Sequence, residues 1–130
     1  MRYEELIENN KLMSEFMGYT PNEYGVYQTP RGKYHLDHFS FHSSWDWLMP
    51  VVEKIGTIPS YDRDKFDTEV IIYRGRTDIK SLGYGEKEHS YYFFNKSIRG
   101  KYNSTEHTYK AVLEYIKWYN KKNRTDGTIK

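Results

Sequence analysis

The stretch of this chain richest in groups that could do chemistry is Tyr34-His35-Leu36-Asp37-His38-Phe39-Ser40-Phe41-His42, which holds three of the five histidines beside one aspartate. Imidazole and carboxylate ligate zinc and similar divalent ions. A loop that gathered them would make a metal site and, with a bound water, a small hydrolase of nucleotides or esters. The spacing matches no established arrangement, the helical His-Glu-x-x-His included, so a solvated strand or loop without metal is the preferred reading.

A second chemistry lies in arginine and tyrosine. Arg74-Gly75-Arg76 reads as a strand turn, with Arg63, Arg99 and Lys101 in neighbouring loops. Guanidinium pairs bidentately with phosphate oxygens, while Tyr61, Tyr84 and Tyr91 offer faces on which a nucleobase could stack and Trp47 could add an aromatic wall. Trp47, Tyr61, Arg63, Arg74, Arg76, Tyr84, Tyr91 and Arg99 are therefore the candidate ligand-binding residues. The plainer reading is that basic turns keep the chain soluble and protect sheet edges. Gly83-Tyr84-Gly85 is no phosphate loop, because it lacks a third glycine and a following helix. Ser43-Ser44 reads as a helix cap rather than a nucleophile elbow, and Asp62, Asp64, Asp67 and Glu69 read as a solvated linker without the spacing of a calcium loop. No catalytic residue and no cofactor are assigned.

The elements that must position these groups are legible in outline. Leu6, Leu12, Met13, Phe16 and Met17 recur at helical intervals before Gly18, which gives a first helix over Tyr3 to Met17, although Asn9 and Asn10 could delay its start. Tyr19 to Phe41 is loop with room for one hairpin. Ser43 or Ser44 caps a second helix, with Trp45, Leu48, Val52 and Ile55 as its main stripe, Trp47 and Val51 beside it, Pro50 as a late start or kink and Gly56 as its end. Thr68 to Tyr73, Thr77 to Lys80 and Ser90 to Phe94 read as a three-stranded antiparallel meander. Asn103 and Glu106, at capping-box spacing, open a last helix whose stripe is Tyr109, Val112, Leu113, Ile116 and Tyr119 or Asn120, with Trp118 on a secondary stripe. Residues 125–130 read as a frayed tail.

Length and composition bound the rest. A chain of 130 residues is one domain, and with no cysteine it has neither disulfides nor thiolate zinc. The first residues are acidic where a signal peptide would be apolar, and no run approaches about 18 apolar residues, so the chain is expected in the cytoplasm of a bacterial host cell and not in a membrane. Twenty basic against eighteen acidic side chains leave a charge of +2, which argues against duplex DNA as partner. Aromatic residues make up 18% of the chain, fourteen of them tyrosine, as suits a half-wet core or a stacking surface. Counted by alternation, Val70, Ile72, Tyr91 and Phe93 oppose Ile71, Tyr73, Tyr92 and Phe94 across their strands. Both sheet faces would then need cover, which predicts an α+β fold with helices packed as an α/β/α sandwich, or a homo-oligomer.

The run Phe41-His42-Ser43-Ser44-Trp45-Asp46-Trp47-Leu48-Met49-Pro50-Val51-Val52-Glu53-Lys54-Ile55 resembles a segment of small proteins encoded by phages and mobile elements of Bacteroides-like bacteria. Thr108-Tyr109-Lys110-Ala111-Val112-Leu113-Glu114-Tyr115-Ile116-Lys117-Trp118-Tyr119-Asn120 and Phe16-Met17-Gly18 extend the likeness in the same order along the chain. The layout is also distantly similar to a widespread phage α/β/α sandwich domain. The resemblance implies a small binding protein that captures a host molecule, such as a cyclic or ADP-ribose-type nucleotide used as an immune signal. The other classes are a protein-protein inhibitor or adaptor anchored by Trp47 or Trp118, and a hydrolase built on His35, Asp37, His38 and His42.

Overall fold

The computed structural model describes the backbone of residues 1–57, 67–84 and 90–125, and the side chains within these except 67, 82–84, 90–93 and 122–125. In chain order the elements are α1 (Tyr3–Met17), β1 (Tyr27–Thr29), β2 (Gly32–Tyr34), a 3-10 turn (Leu36–His38), α2 (Trp45–Gly56), β3 (Asp67–Ile72), β4 (Arg76–Tyr84), β5 (Ser90–Arg99) and α3 (Glu106–Thr125). The fold is α+β, with β3, β4 and β5 forming a three-stranded antiparallel sheet and β1 and β2 a separate hairpin.

Helix α1 begins at Tyr3, with Glu4 and Glu5 complementing the positive end of its dipole, so Asn9 and Asn10 lie inside it. Both are buried, and Asn10 Nδ2 donates to the carbonyls of Leu36 at 2.6 Å and Phe39 at 3.3 Å. These bonds to the 3-10 turn compensate for poor helix propensity. At the other end Gly18 takes φ 85°, which an L side chain resists, and the Gly18 and Tyr19 amides close on Glu15 and Ser14 as a Schellman cap. The Lys54 ammonium donates to the Phe16 carbonyl, a cation at the negative end of α1.

Helix α2 starts at Trp45 and runs through Pro50, which cannot donate a backbone hydrogen bond. Ser44 occupies the N-cap position but its hydroxyl makes no cap bond. The buried stripe is Leu48, Val51, Val52 and Ile55; Trp45, expected on it, is 36% exposed because it is the helix's first residue.

On β4, Thr77, Ile79 and Ser81 are buried, and the register sets Val70 and Ile72 of β3 and Phe94 and Ile98 of β5 on the same face. Both α2 and α3 cover this face, and α1 packs behind them on α3 and the edge of α2. The opposite face carries, among the described residues, Glu69, Ile71, Asp78, Lys80, Asn95, Ser97 and Arg99, with Ser97 Oγ donating to Asp78 at 2.6 Å. Among the described residues this face is therefore more polar than alternation predicts. Two reasons account for the difference. Strand β5 continues past Phe94 through five mostly polar residues to Arg99, and a bulge pairs Ser81 with Phe94 but Leu82 with Tyr92, so simple alternation through Tyr91 to Phe94 does not hold. Phe94 is buried against Tyr115 and Trp118 of α3, and the side chains of Tyr91, Tyr92 and Phe93 lie outside the described residues. Strand β4 also runs on to Tyr84, past the expected end at Lys80. Of the expected frayed tail, 125–130, Thr125 is the last residue of α3, and 126–130 lie outside the described residues.

Candidate functional site

At the α3 end of the sheet, the turn between β3 and β4 is sewn to the loop between β5 and α3. Tyr73 N donates to Arg76 O at 2.7 Å, Gly100 N to Gly75 O at 3.0 Å and Asn103 N to Arg74 O at 2.6 Å. Gly100 lets the loop approach α3 closely: a Cβ there would stand 3.1 Å from His107 Cβ, so the helix would have to give by a few tenths of an ångström. Asn103 takes φ 58°, the left-handed region that asparagine tolerates best after glycine. It therefore does not cap α3 as its spacing suggested; the helix opens after Thr105, whose carbonyl accepts from Tyr109 N at 2.8 Å. Glu106 does reach back, accepting from Lys101 N at 3.5 Å. That bond and Lys110, beside it at 3.5 Å, hold its carboxyl below the usual carboxylate range.

Beneath the turn lies a buried polar chain. His107 Nε2 is 3.2 Å from Arg74 O, which can only accept, so Nε2 carries the ring proton. In the neutral ring Nδ1 then accepts from the Thr77 hydroxyl at 2.7 Å, and Thr77 Oγ1 accepts from Thr108 Oγ1 at 2.7 Å. The Arg74 carbonyl thus receives two donors, one from the loop and one from α3. His107, Thr77 and Thr108 are essentially without solvent exposure, so the Thr77 hydroxyl is a structural donor and not an accessible nucleophile.

Above this foundation is a recess of about 400 Å³ lined by Trp45, Ile72, Tyr73, Arg74, Asn103, Ser104 and His107. The Arg74 guanidinium donates from Nη1 to Tyr102 OH at 2.5 Å and lies 5.6 Å from that ring's centroid. Arg76 stacks on Tyr73 at 4.2 Å, with its Nε 3.1 Å from Asp78 Oδ1 off the hydrogen-bond line. Trp45, Tyr73 and Tyr102, at 36%, 45% and 64% exposure, are three of the large apolar side chains that the fold leaves uncovered.

Of the eight residues nominated from sequence, Arg74 lines this recess, while Arg76 and Arg99 are cross-strand partners on the polar face nearby. Tyr84 and Tyr91 belong to the other end of the β4 and β5 ladder, eight positions from Arg76 to Tyr84, or roughly 26 Å at strand rise. They do not share the site. Trp47 packs with Tyr34, Phe39 and Phe41 beneath the β1 and β2 hairpin, with Arg31 5.8 Å from its ring, and is half-buried against the core. Tyr61 and Arg63 lie outside the described residues. The sequence reading missed Trp45, Tyr73, Tyr102 and His107. The usable signal was position: each adjoins a turn or helix start that Gly75, Gly100 and Ser44 mark.

The histidine tract is only partly gathered. His35, Asp37 and His38 surround an open groove of about 410 Å³ with Tyr3, whose hydroxyl donates to Asp37 at 3.3 Å. That carboxylate holds the Tyr3 hydroxyl above its usual pKa. His38 Nε2 stands 4.0 Å from Asp37 Oδ1, and the two imidazole centroids are 6.4 Å apart. His42 is turned away, packing on Tyr109. Among the described residues no three His, Cys, Asp or Glu side chains are placed to hold a metal ion, and no helix is long and apolar enough to cross a membrane. Compared with protein-family models, curated proteins and solved structures, the chain finds no match.

Proposed function

We propose that the chain is a binding module whose recess beside α3 takes a planar, anionic small molecule of the nucleotide class. The observation that carries this reading is the convergence of Trp45, Tyr73 and Arg74 on one recess, with the Asn103 side-chain amide beside them. Aromatic faces stack on bases of any identity, and a guanidinium fork matches phosphoryl oxygens. In the phage setting that the resemblance suggests, such a protein would hold a host signal nucleotide, cyclic or ADP-ribose-type, away from its receptor. Binding is favoured over turnover because the hydroxyl that meets an imidazole is sealed inside the protein.

Calorimetry with a panel of mononucleotides, cyclic nucleotides and ADP-ribose tests the reading. Heat with at least one of them, lost in Trp45→Ala, is expected. Uniform absence of heat refutes it. In that case the exposed Trp45, Tyr73 and Tyr102 favour the adaptor reading, since tryptophan, tyrosine and arginine dominate protein contacts.

A further inference from the structure

We infer that the recess reads one anionic group, so that its preferred ligand carries a single phosphoryl, open or cyclic, and not a diphosphate. This rests on the binding reading above and narrows it by a count of charge. Among the described residues, Arg74 is the one cationic side chain lining the recess. Arg76, two residues on, is committed to Asp78 and to the Tyr73 ring. The amino end of α3, where an anion would otherwise be welcome, already faces a carboxylate, because Glu106 accepts from Lys101 N and pairs with Lys110. Arg74 itself is set in advance. Its carbonyl is held by Asn103 and His107, and its guanidinium gives one donor to Tyr102. Four of the five N–H groups of the fork are left, enough for two oxygens of one phosphoryl. A volume of about 400 Å³ also sits at the small end of ligand pockets. A second phosphate would meet water instead of a second cation.

The test is calorimetry at low salt with adenosine, AMP and ADP, repeated with the guanosine, cytidine and uridine series. The first phosphate should tighten binding by about tenfold or more, as a charge-assisted pair does. The second should change it by less than about threefold, the scale of an exposed charge. Arg74→Gln, checked for folding by circular dichroism, should erase the gain from the first phosphate. A second phosphate worth as much as the first overturns the inference while leaving the binding reading intact, as does a first-phosphate gain that survives Arg74→Gln. Absence of heat across all the series overturns both.

Discussion

At the scale of single residues, the consequence of burying a polar side chain is clearest at Tyr115. It is 1% exposed, and burial pushes its pKa up to about 12. The sign of the pH effect follows from linkage. In the unfolded chain the phenol ionises near 10, whereas in the folded protein it holds its proton until about 12. Stability from this group is therefore complete below pH 10 and declines as the pH rises toward 12. Tyr115→Phe, which removes the buried hydroxyl, should cost about 1 kcal/mol at neutral pH. Urea titrations at pH 7 and pH 11 should show the gap to wild type shrinking at the higher pH. A gap that widens there would contradict the assignment. His107 is also buried, with both ring nitrogens engaged, and one of them fixes the turn that presents Arg74.

At the scale of elements, local pattern and tertiary demand agree in some places and part in others. The α3 stripe, the Gly18 stop and the β3 strand were legible because spacing and turn chemistry suffice to set them. The Tyr3 start of α1 was legible as well, and the poor propensity at Asn10 that could have delayed it is offset by bonds to carbonyls 26 and 29 residues away. Asn103 misled: its side-chain type suits a cap, but its tolerance of positive φ is what the loop uses. The weight of the Asn10 contact can be measured. Asn10→Ala improves helix propensity, yet leaves the Leu36 and Phe39 carbonyls without that donor, and should destabilise the protein by about 2 kcal/mol. Hydrogen exchange should quicken at His38 and Phe39, whose amides close the 3-10 turn, well before it does in β4. Unchanged stability would mean that propensity and not the tertiary bond governs α1.

At the scale of the whole molecule, the layers run from polar sheet face to inner sheet face, then α2 and α3, then α1, and the two tryptophans that open α2 serve different ends of this stack. Trp47 turns toward the hairpin side, where Tyr34, Phe39 and Phe41 enclose it, while Trp45, two residues earlier, turns to the recess. A stripe count could not separate them, because the distinction is made by the hairpin and by the loop between β5 and α3, both distant in sequence. The candidate site was legible for the same reason only at Arg74, whose turn is local; its companions come together through register and loop stitching that no window reveals. The division of labour has a measurable form. Trp47→Ala empties a packed aromatic cluster and should cost about 3 kcal/mol or more. Trp45→Ala removes a ring at the rim and should stay within about 0.5 kcal/mol of wild type in urea denaturation. Binding should divide the opposite way: in conditions where both variants are folded, Trp45→Ala should lose most of the heat seen with the nucleotide panel and Trp47→Ala should retain it. If Trp45→Ala is instead the less stable of the two, its ring belongs to the core, and the recess beside Arg74 is a surface dent and not a binding wall.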